Sequence, residues 1–596
     1  MILSYVPISN ASPTFIEGCL TLIVIGLAFA FPRMGFLWFS RIEGAFGKLA
    51  RRRVWAVAAV GAGAFLLRLA ILPFCPIPLP FVSDDFSFLL AADTFAHGRL
   101  ANPTPAMWMH FESIQITMIP SYASMYFPAP GLVLAAGKVL AGHPWYGLLC
   151  VTALMCAAIC WMLQAWLPPG WALLGGILAI LRLGLFSYWI NTYIGGGSVS
   201  ALGGALVLGA FPRLMRTVRL RDALLLAIGI SVLLLSRPYE GLLLCLPVAI
   251  VLGRWLLSGK NRPKPAMLLR RAALPVALII TAGAWLSYYD YRVFGSPTTL
   301  PYTIDRATYA VAPYFIWQPP RQKPVYRHQA MQTFYTVNEM ERFATIHTLF
   351  GFSSSVLNRI LLALLFFGGF ALLPPLIMLR RALMDRRIRF LVLCLAVMTA
   401  GMAVQIFLIA HYLAPFTAAF YAIGLQAMRH LRLWAPGAKS VGLTLVRLAV
   451  TLCFVLAGLR LSAGHLYLSP EEWPPDNWMI GWSGPGQFGT KRANLEAELQ
   501  RLPGKQLAIV RYAPGHNVLD EWVYNAAEID NSKVIWAREM DTVNNAELIH
   551  YYKDRNVWLV QPDIAPVIAS PYPATDKTPA PATAPLNERN TPIRRS

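Results

Sequence analysis

Two adjacent carboxylates, Asp84 and Asp85, directly follow a long apolar run and precede FSFLLAADTFAHG, a segment with the pattern of a helix. Aspartate is a favoured helix N-cap, and its charge suits a helix N-terminus. One aspartate is enough for that purpose, whereas a second carboxylate beside a membrane surface needs a cation, a metal or a proton to transfer. Asp84 and Asp85 are therefore candidate catalytic residues, with helix capping as the alternative.

The segment MWMHFESIQ adds His110 and Glu112 to the same region. Carboxylates and histidine are common ligands of divalent metal ions. We predict Asp84, Asp85 and Glu112 as candidate ligands of a divalent cation such as Mg²⁺ or Mn²⁺, and His110 and Glu112 as candidate substrate contacts. No fixed helical spacing links these residues, so the sequence leaves open whether a metal binds.

Two further segments place polar side chains between apolar runs. LLLSRPYEGLLL contains Arg237, Tyr239 and Glu240, and an arginine can pair bidentately with a phosphate while a glutamate orients it. LIAHYLAPF contains His411 and Tyr412, and the histidine could donate a hydrogen bond to phosphate. We predict all five as donor-phosphate or substrate contacts. The alternatives are an ion pair that closes a helical hairpin and aromatic groups at a membrane interface.

The turn NTYIGGGS, residues 191–198, places Asn191 and Tyr193 before three glycines. Close approach of a ligand to the glycine backbone would explain this composition, and so would a flexible turn. Asn191 and Tyr193 are therefore further candidate substrate contacts.

The composition indicates where these residues must be positioned. Of 596 residues, 56% are hydrophobic and only 13% are charged, and the mean hydropathy is +0.51. This is too apolar for a soluble chain, so we predict a polytopic membrane protein. The formal net charge of +22 comes from short basic clusters between apolar segments, which is typical of cytoplasmic loops, and no nucleic-acid partner is predicted. The eight cysteines lie in apolar segments without the spacing of a zinc site or a disulfide framework.

Twelve apolar stretches have the character of transmembrane helices, although several are shorter than the usual length of about 20 residues. They are residues 15–32, 55–80, 145–166, 171–190, 198–212, 222–236, 241–256, 272–288, 356–379, 390–410, 413–428 and 442–460. The stretch 128–142 begins with prolines and contains Lys138, which favours a helix in the membrane interface. With the basic clusters in the cytoplasm, four regions are extracytoplasmic: 81–144, 191–198, 289–355 and the chain after about 461.

The chain after the last span changes character. LPGKQLAIVRY, SKVIWARE and NVWLVQPD each contain a run typical of a strand, and 491–501 and 545–553 are typical of helices. The loop YAPGHNVLDEWVYN offers His516, Asp520 and Glu521 as a further candidate site, with an ordinary polar loop as the alternative. The predicted units are a transmembrane domain at 1–460, with loop 289–355 as a lid over the bundle, an extracytoplasmic α/β domain at 461–562 and a disordered Pro/Ala/Thr-rich tail at 563–596.

The region 81–145 resembles the membrane-embedded glycosyltransferases of the GT-C superfamily, in particular the branch with protein O-mannosyltransferases and bacterial lipid A aminoarabinose transferases. Asp84 matches the Asp of the family's Asp-Glu pair, Asp85 stands where Glu is usual, and Phe88 stands where Tyr is common. AHGRL and YFPAPGLVLA complete the pattern, and the topology extends it to about residue 460.

The resemblance implies a GT-C-like fold, a sugar donor on a polyprenyl phosphate and an active site on the periplasmic side of a bacterial inner membrane. The acceptor would be a lipid, a glycan or a protein. The chain lacks the Glu-Lys that some members carry before Pro130, and its turn 191–198 lacks their Asp. Another cation must therefore hold the phosphate, and Arg237 and then His411 are the candidates. With Asp84 as the base and direct displacement, the anomeric configuration inverts.

Two other functions fit the same pattern of helices. One is a transporter or flippase of a lipid-linked or small solute, although no internal repeat is visible and the charged residues gather at helix ends rather than at mid-membrane. The other is a catalytically inactive scaffold of the cell envelope, which the departures from the family pattern leave open.

Overall fold

In a computed structural model, the chain is described over residues 13–194, 196–258, 265–462 and 489–573. Each of the twelve predicted spans contains a helix. These helices are Pro13–Ala30, Arg53–Ala70, Pro144–Trp166, Pro169–Ala179, Gly197–Thr217, Leu220–Leu234, Pro238–Ser258, Pro265–Phe294, Leu349–Phe367, Arg389–Ala403, Thr417–Arg432 and Val441–Ser462. The segments outside the described residues include 463–488, the tail after 573, and 259–264, which contains the basic residues Lys260, Arg262 and Lys264. The predicted α-helical polytopic fold is confirmed.

Seven of these helices are long and apolar enough to cross a membrane, judged by length and composition among the described residues. Their outer faces suit a lipid environment because large apolar side chains point away from the protein, with Leu242 61% and Ile280 65% exposed. The remaining five helices have between 11 and 18 residues. The chain is an integral, multi-pass membrane protein, and its orientation stays a prediction.

Four predicted spans end well before the expected residue: 390–410, whose helix ends at Ala403, and three others that each have a local reason. Arg53–Ala70 stops before the prolines of ILPFCPIPLP. Leu349–Phe367 stops because Gly369 has a left-handed backbone, with φ of 64°, and two prolines follow at 374 and 375. In the third, Pro169–Ala179 passes into a π-helical turn at Ile180–Gly184. The extra helix Phe36–Arg51, which was not predicted, carries basic residues in its last turn.

The region 81–144, called the first loop below, folds around one short helix, Ser83–Ala96, which we call the aspartate helix. It is followed by a turn at Trp108–Phe111, the paired strands Ile116–Thr117 and Ala123–Ser124, and the helix Pro128–Ala141. The last packs closely on the aspartate helix because Gly131 has no side chain, and a Cβ there would lie 2.7 Å from Ala91 Cβ. The lid loop, residues 289–355, contains the helices Pro301–Tyr309, Gln329–Thr333 and Glu339–Ile346.

The C-terminal domain has the predicted α/β fold over its described part. Its sheet has the strand order Val534–Arg538, Lys505–Val510, Arg555–Val560 and Ala569–Pro571, with helices Thr490–Arg501 and Thr542–Tyr551. The first three strands are parallel and the last is antiparallel. The tail was predicted as disordered from 563, and the strand 569–571 differs from that prediction because its backbone pairs with Trp558–Val560.

This domain packs directly on the aspartate helix and its flanking loops. The rings of Phe86 and Tyr524 stack with their centres 4.5 Å apart. Asp93 Oδ2 accepts a hydrogen bond from the backbone N–H of Ala527 at 2.7 Å, and Oδ1 pairs with Lys138. The aspartate helix therefore lies between the membrane domain and the C-terminal domain.

Candidate active site

The two aspartates occupy the first turn of the aspartate helix, but neither is its N-cap. The helix begins at Ser83, and the N-cap residue Val82 makes no side-chain cap bond. Side chains one residue apart on a helix point in different directions, so Asp84 and Asp85 meet different surroundings. Asp84 is partly exposed, whereas Asp85 is completely buried.

Asp85 is bound to backbone on both of its oxygens. Oδ1 accepts from the N–H of Tyr193 at 2.8 Å, and Oδ2 accepts from the N–H of Phe81 at 3.2 Å. Burial raises the pKa of Asp85 to about 7, against the opposing effect of these two bonds. Asp85 therefore ties the start of the aspartate helix to the turn at 191–194, and its catalytic role stays a prediction.

Asp84 has polar side chains as its partners. The Tyr126 hydroxyl donates to Asp84 Oδ1, and the Gln115 side chain also hydrogen-bonds the carboxylate. Burial raises the pKa of Asp84, while the bonds from Tyr126 and Gln115 and the charge of Arg237 act in the opposite direction. A partly exposed carboxylate with a raised pKa has the properties of a general base.

Gln115 holds the aspartate helix from the side. Its Oε1 accepts from Ser83 Oγ at 3.0 Å, and its backbone carbonyl accepts from Ser87 Oγ at 2.7 Å. Gln115 also has a left-handed backbone, with φ of 66°, which is unfavourable for a residue with a side chain. Such strained residues gather at functional sites because the surrounding structure must hold them.

Aromatic rings line the other side of Asp84. Tyr126 stacks on Phe88 with ring centres 4.2 Å apart, so the aromatic residue of the sequence motif positions the tyrosine that binds Asp84. Tyr302, from the lid loop, lies edge-on to Tyr126 at 5.8 Å. Sequence reasoning missed Gln115, Tyr126 and Tyr302. The YFPAP motif contains Tyr126, so that residue could have been selected from it.

Arg237 lies close enough for its charge to act on Asp84. It is 6% exposed, its Nη1 is 3.5 Å from Glu240 Oε1, and its guanidinium carbon is 4.4 Å above the centre of the Tyr412 ring. Its charge acts on Asp84 and on Tyr302. The structure thus brings together Asp84, Arg237, Glu240 and Tyr412, four of the residues predicted from sequence, with Tyr126 and Tyr302 between them.

His411 lies beside Tyr412 and close enough to Arg237 for that charge to act on it. It is buried, its Nδ1 is 3.0 Å from the Tyr188 hydroxyl, and its ring lies 5.0 Å from that of Tyr412. Burial, and then the positive charge of Arg237, hold the pKa of His411 well below its usual range. The imidazole is therefore neutral at physiological pH and acts through hydrogen bonds rather than through charge.

His110 and Glu112 do not join this site. Both ring nitrogens of His110 lie against backbone carbonyls of the C-terminal domain, those of Arg538 at 3.0 Å and Asn544 at 3.2 Å. Glu112 Oε1 accepts from the Tyr309 hydroxyl at 2.9 Å. Both residues lie where the C-terminal domain and the lid loop meet the first loop, and the structure does not bring them together with Asp84. Their role as substrate contacts stays a prediction.

The predicted metal site is not formed either. Asp84, Asp85 and Glu112 point to different partners, and within the described ranges no group of three or more His, Cys, Asp or Glu side chains could hold a metal ion. Asp85 is bound by backbone on both oxygens, and Glu112 Oε1 is bound by Tyr309 of the lid loop. The residues present do not fit a divalent cation held by the protein.

Three other predicted contacts have structural roles. Asn191 Oδ1 accepts from Arg68 at 2.8 Å, inside the bundle. The Tyr193 hydroxyl donates to the carbonyl of Pro78 at 3.3 Å, and its backbone holds Asp85. The Tyr239 hydroxyl donates to the carbonyl of Gly401 at 2.8 Å. These bonds join neighbouring helices and loops.

No family model and no curated protein matches the chain. Among solved structures, ArnT from Cupriavidus metallidurans in the apo state is 13% identical with a TM-score of 0.45, covering 86% of this chain and 93% of that one. The same protein bound to undecaprenyl phosphate is 13% identical with a TM-score of 0.44. The apo oligosaccharyltransferase of Archaeoglobus fulgidus is 10% identical with a TM-score of 0.45. That match covers 77% of this chain and only 62% of the oligosaccharyltransferase. Both are GT-C glycosyltransferases. At these scores the folds differ too much for a site to be transferred from one to the other.

Proposed function

We propose that this chain is a GT-C-type membrane glycosyltransferase that moves a sugar from a polyprenyl-phosphate donor to an acceptor outside the cytoplasm. The observation that carries the proposal is that a carboxylate, Asp84, and a buried guanidinium, Arg237, lie among the same tyrosines: Tyr126 binds Asp84, Tyr412 lies against Arg237, and Tyr302 is near both Tyr126 and Arg237. Transfer of a sugar from a phosphate needs these two groups: a base for the acceptor and a cation for the leaving phosphate.

Asp84 is the proposed general base. Its carboxylate takes the proton of the acceptor hydroxyl or amine as the acceptor atom forms a bond to the anomeric carbon. The bond from that carbon to the phosphate oxygen breaks, and its electron pair leaves with the polyprenyl phosphate. Direct displacement of this kind inverts the anomeric configuration. The partial exposure of Asp84 and its bonds from Tyr126 and Gln115 support this role.

Arg237 is the proposed partner of the departing phosphate. Glu240 and the Tyr412 ring fix the guanidinium from two sides, which leaves its orientation set before the donor binds. The Tyr302 and Tyr412 hydroxyls are further donors near the same cation, and charge on the phosphate would strengthen bonds from all three groups. Neutral His411 is hydrogen-bonded to Tyr188, and its ring packs against the ring of Tyr412.

The active site would face the periplasm of a bacterial inner membrane, and the acceptor would be a lipid, a glycan or a protein. The positive-inside pattern of the basic clusters supports the orientation. No step of the proposed reaction runs through a divalent cation, because the three candidate carboxylates do not converge.

The test is sugar transfer in membranes that contain the chain, with a panel of radiolabelled polyprenyl-phosphate sugars. Wild type should form a labelled product, and Asp84→Asn should lower the rate by about 10²- to 10⁴-fold while keeping the shape of the side chain. Asp222→Asn is the matched control, since Asp222 is a buried aspartate that pairs with Arg221 away from the site. Wild-type protein that is folded and inserted but consumes no donor would instead favour a transporter or a scaffold.

A further inference from the structure

The C-terminal domain touches both chain segments that hold Asp84. One segment is the residue pair before the aspartate helix. There the backbone N–H of Phe81 donates to Asp85, and the backbone carbonyl of Phe81 accepts a hydrogen bond from the backbone N–H of Glu521 at 3.1 Å. The other is the loop that ends at Gln115, where Ser113 Oγ donates to Glu521 Oε2 at 3.1 Å. Both contacts come from one residue of the C-terminal domain.

We propose that Glu521 is a positioning residue for the reaction, and that through it the C-terminal domain sets the place of Asp84. This inference rests on the proposed function only for its effect on rate. The geometric part, that Glu521 holds residues 81–85 and 113–115 in place, stands on the contacts alone.

Glu521 is built into its own domain more firmly than a surface loop residue would be. It is 3% exposed, and its Oε1 accepts from the Tyr512 hydroxyl at 2.9 Å and from the N–H of Val523 at 2.8 Å. Its Oε2 accepts from Arg538 Nη2 at 2.5 Å, and Arg538 is 2% exposed. A buried ion pair with this many bonds has one well-defined geometry, so it can hold the residues that it contacts in fixed positions.

Arg538 completes the connection. Its Nε donates to the backbone carbonyl of Glu112 at 2.6 Å, in the loop between the turn at Trp108–Phe111 and Gln115. The loop that carries Gln115 is thus fixed at two neighbouring residues, 112 and 113, by a single ion pair. Gln115 needs such support because its left-handed backbone is unfavourable, and it is the side chain that binds Asp84.

The loop containing Glu521 was a candidate site in the sequence, together with His516 and Asp520. The structure separates them. His516 Nδ1 lies 2.7 Å from Asp563 Oδ1, and Asp520 Oδ2 accepts from Trp522 Nε1 at 3.2 Å, both within the domain. Of these three residues, Glu521 is the one whose side chain hydrogen-bonds the first loop.

The experiment compares Ser113→Ala and Glu521→Gln with Glu528→Gln in the full-length protein. Ser113→Ala removes the bond to the first loop and keeps the Glu521–Arg538 pair, so it avoids leaving Arg538 buried without its partner. Glu528→Gln is the control because Glu528 also joins the domain to the first loop, through Arg99 at 3.0 Å, but is 44% exposed and away from Asp84.

Two readouts are taken on each variant: amide hydrogen exchange of the peptides covering 79–88 and 112–117, and the rate of sugar transfer. We expect faster exchange in both peptides for Ser113→Ala and Glu521→Gln, unchanged exchange in strand Lys505–Val510, and kcat lowered several-fold with little change in donor KM. Glu528→Gln should match wild type in both readouts.

Unchanged exchange in the two peptides would overturn the proposal whatever the rate does. Faster exchange with an unchanged kcat would show that Glu521 holds the loops without any consequence for the reaction, which also overturns it. If wild type transfers no sugar, the proposed function fails, and the exchange data still decide whether Glu521 fixes the position of Asp84.

Discussion

The Arg237 guanidinium carbon lies 4.4 Å above the centre of the Tyr412 ring, while its Nη1 is 3.5 Å from Glu240 Oε1. The cation is thus held on one face by an aromatic ring and at one edge by a carboxylate. A planar guanidinium can use both contacts at once, whereas the compact ammonium of lysine can use only charge. This difference makes the role of Arg237 testable without removing its charge.

Arg237→Lys should lower the rate of transfer by about 10²-fold, close to the loss of one charge-stabilising donor in other enzymes. The loss should appear mainly in kcat, because charge on the phosphate grows in the transition state. Arg254→Lys is the control, since Arg254 is exposed on the same helix, Pro238–Ser258. A rise in KM with an unchanged kcat would indicate that Arg237 binds the donor equally well in the ground state and in the transition state.

The rate of transfer should rise with pH as Asp84 loses its proton. Burial raises the pKa of Asp84, and the Tyr126 hydroxyl opposes this by stabilising the carboxylate. Tyr126→Phe removes that bond, so the pKa should rise further and the acidic limb of the pH–rate profile should move to higher pH. Tyr239→Phe is the control because its hydroxyl binds Gly401 instead. A pH–rate profile that does not shift would show that Tyr126 does not affect the pKa of the catalytic base.

Helix positions could be predicted from the sequence, because the length and apolar composition of each stretch are enough to indicate a membrane helix. The twelve predicted spans all contain helices, and the strands near Lys505, Val534 and Arg555 were also predicted. Ends were less accurate where a glycine or proline terminates a helix, as at Gly369. The strand 569–571 was missed because a three-residue edge strand owes its structure to pairing with another strand, here Arg555–Val560.

The candidate site was predicted in part. Asp84 and Arg237 were found because charged groups at membrane depth are rare and stand out. His110 and Glu112 are equally polar and lie nearer to Asp84 in sequence, yet the fold turns His110 toward the C-terminal domain and Glu112 toward Tyr309 of the lid loop. Their sequence contains no sign of these contacts, because the partners are 428 and 197 positions away.

Asp85 should be needed for stability rather than for chemistry. Asp85→Ala leaves the buried N–H groups of Phe81 and Tyr193 without their acceptor, at a cost of about 1–3 kcal/mol for each group. Asp85→Asn keeps one acceptor oxygen and should cost less. Thermal unfolding in detergent measures both. If Asp85→Asn folds like wild type but transfers no sugar, Asp85 is a catalytic residue, as the sequence predicted.

Removal of divalent cations should leave sugar transfer unchanged. Both oxygens of Asp85 are occupied by backbone N–H groups, Glu112 is bound by Tyr309, and only Asp84 faces the site. One carboxylate that already accepts from Tyr126 is a poor ligand set for Mg²⁺ or Mn²⁺. Transfer measured after treatment with a chelator, and again with each ion restored, tests this. Loss of the rate with recovery by Mg²⁺ or Mn²⁺ would mean that the donor phosphate itself completes a site with Asp84, and Arg237 would then share the charge of the leaving phosphate with a metal.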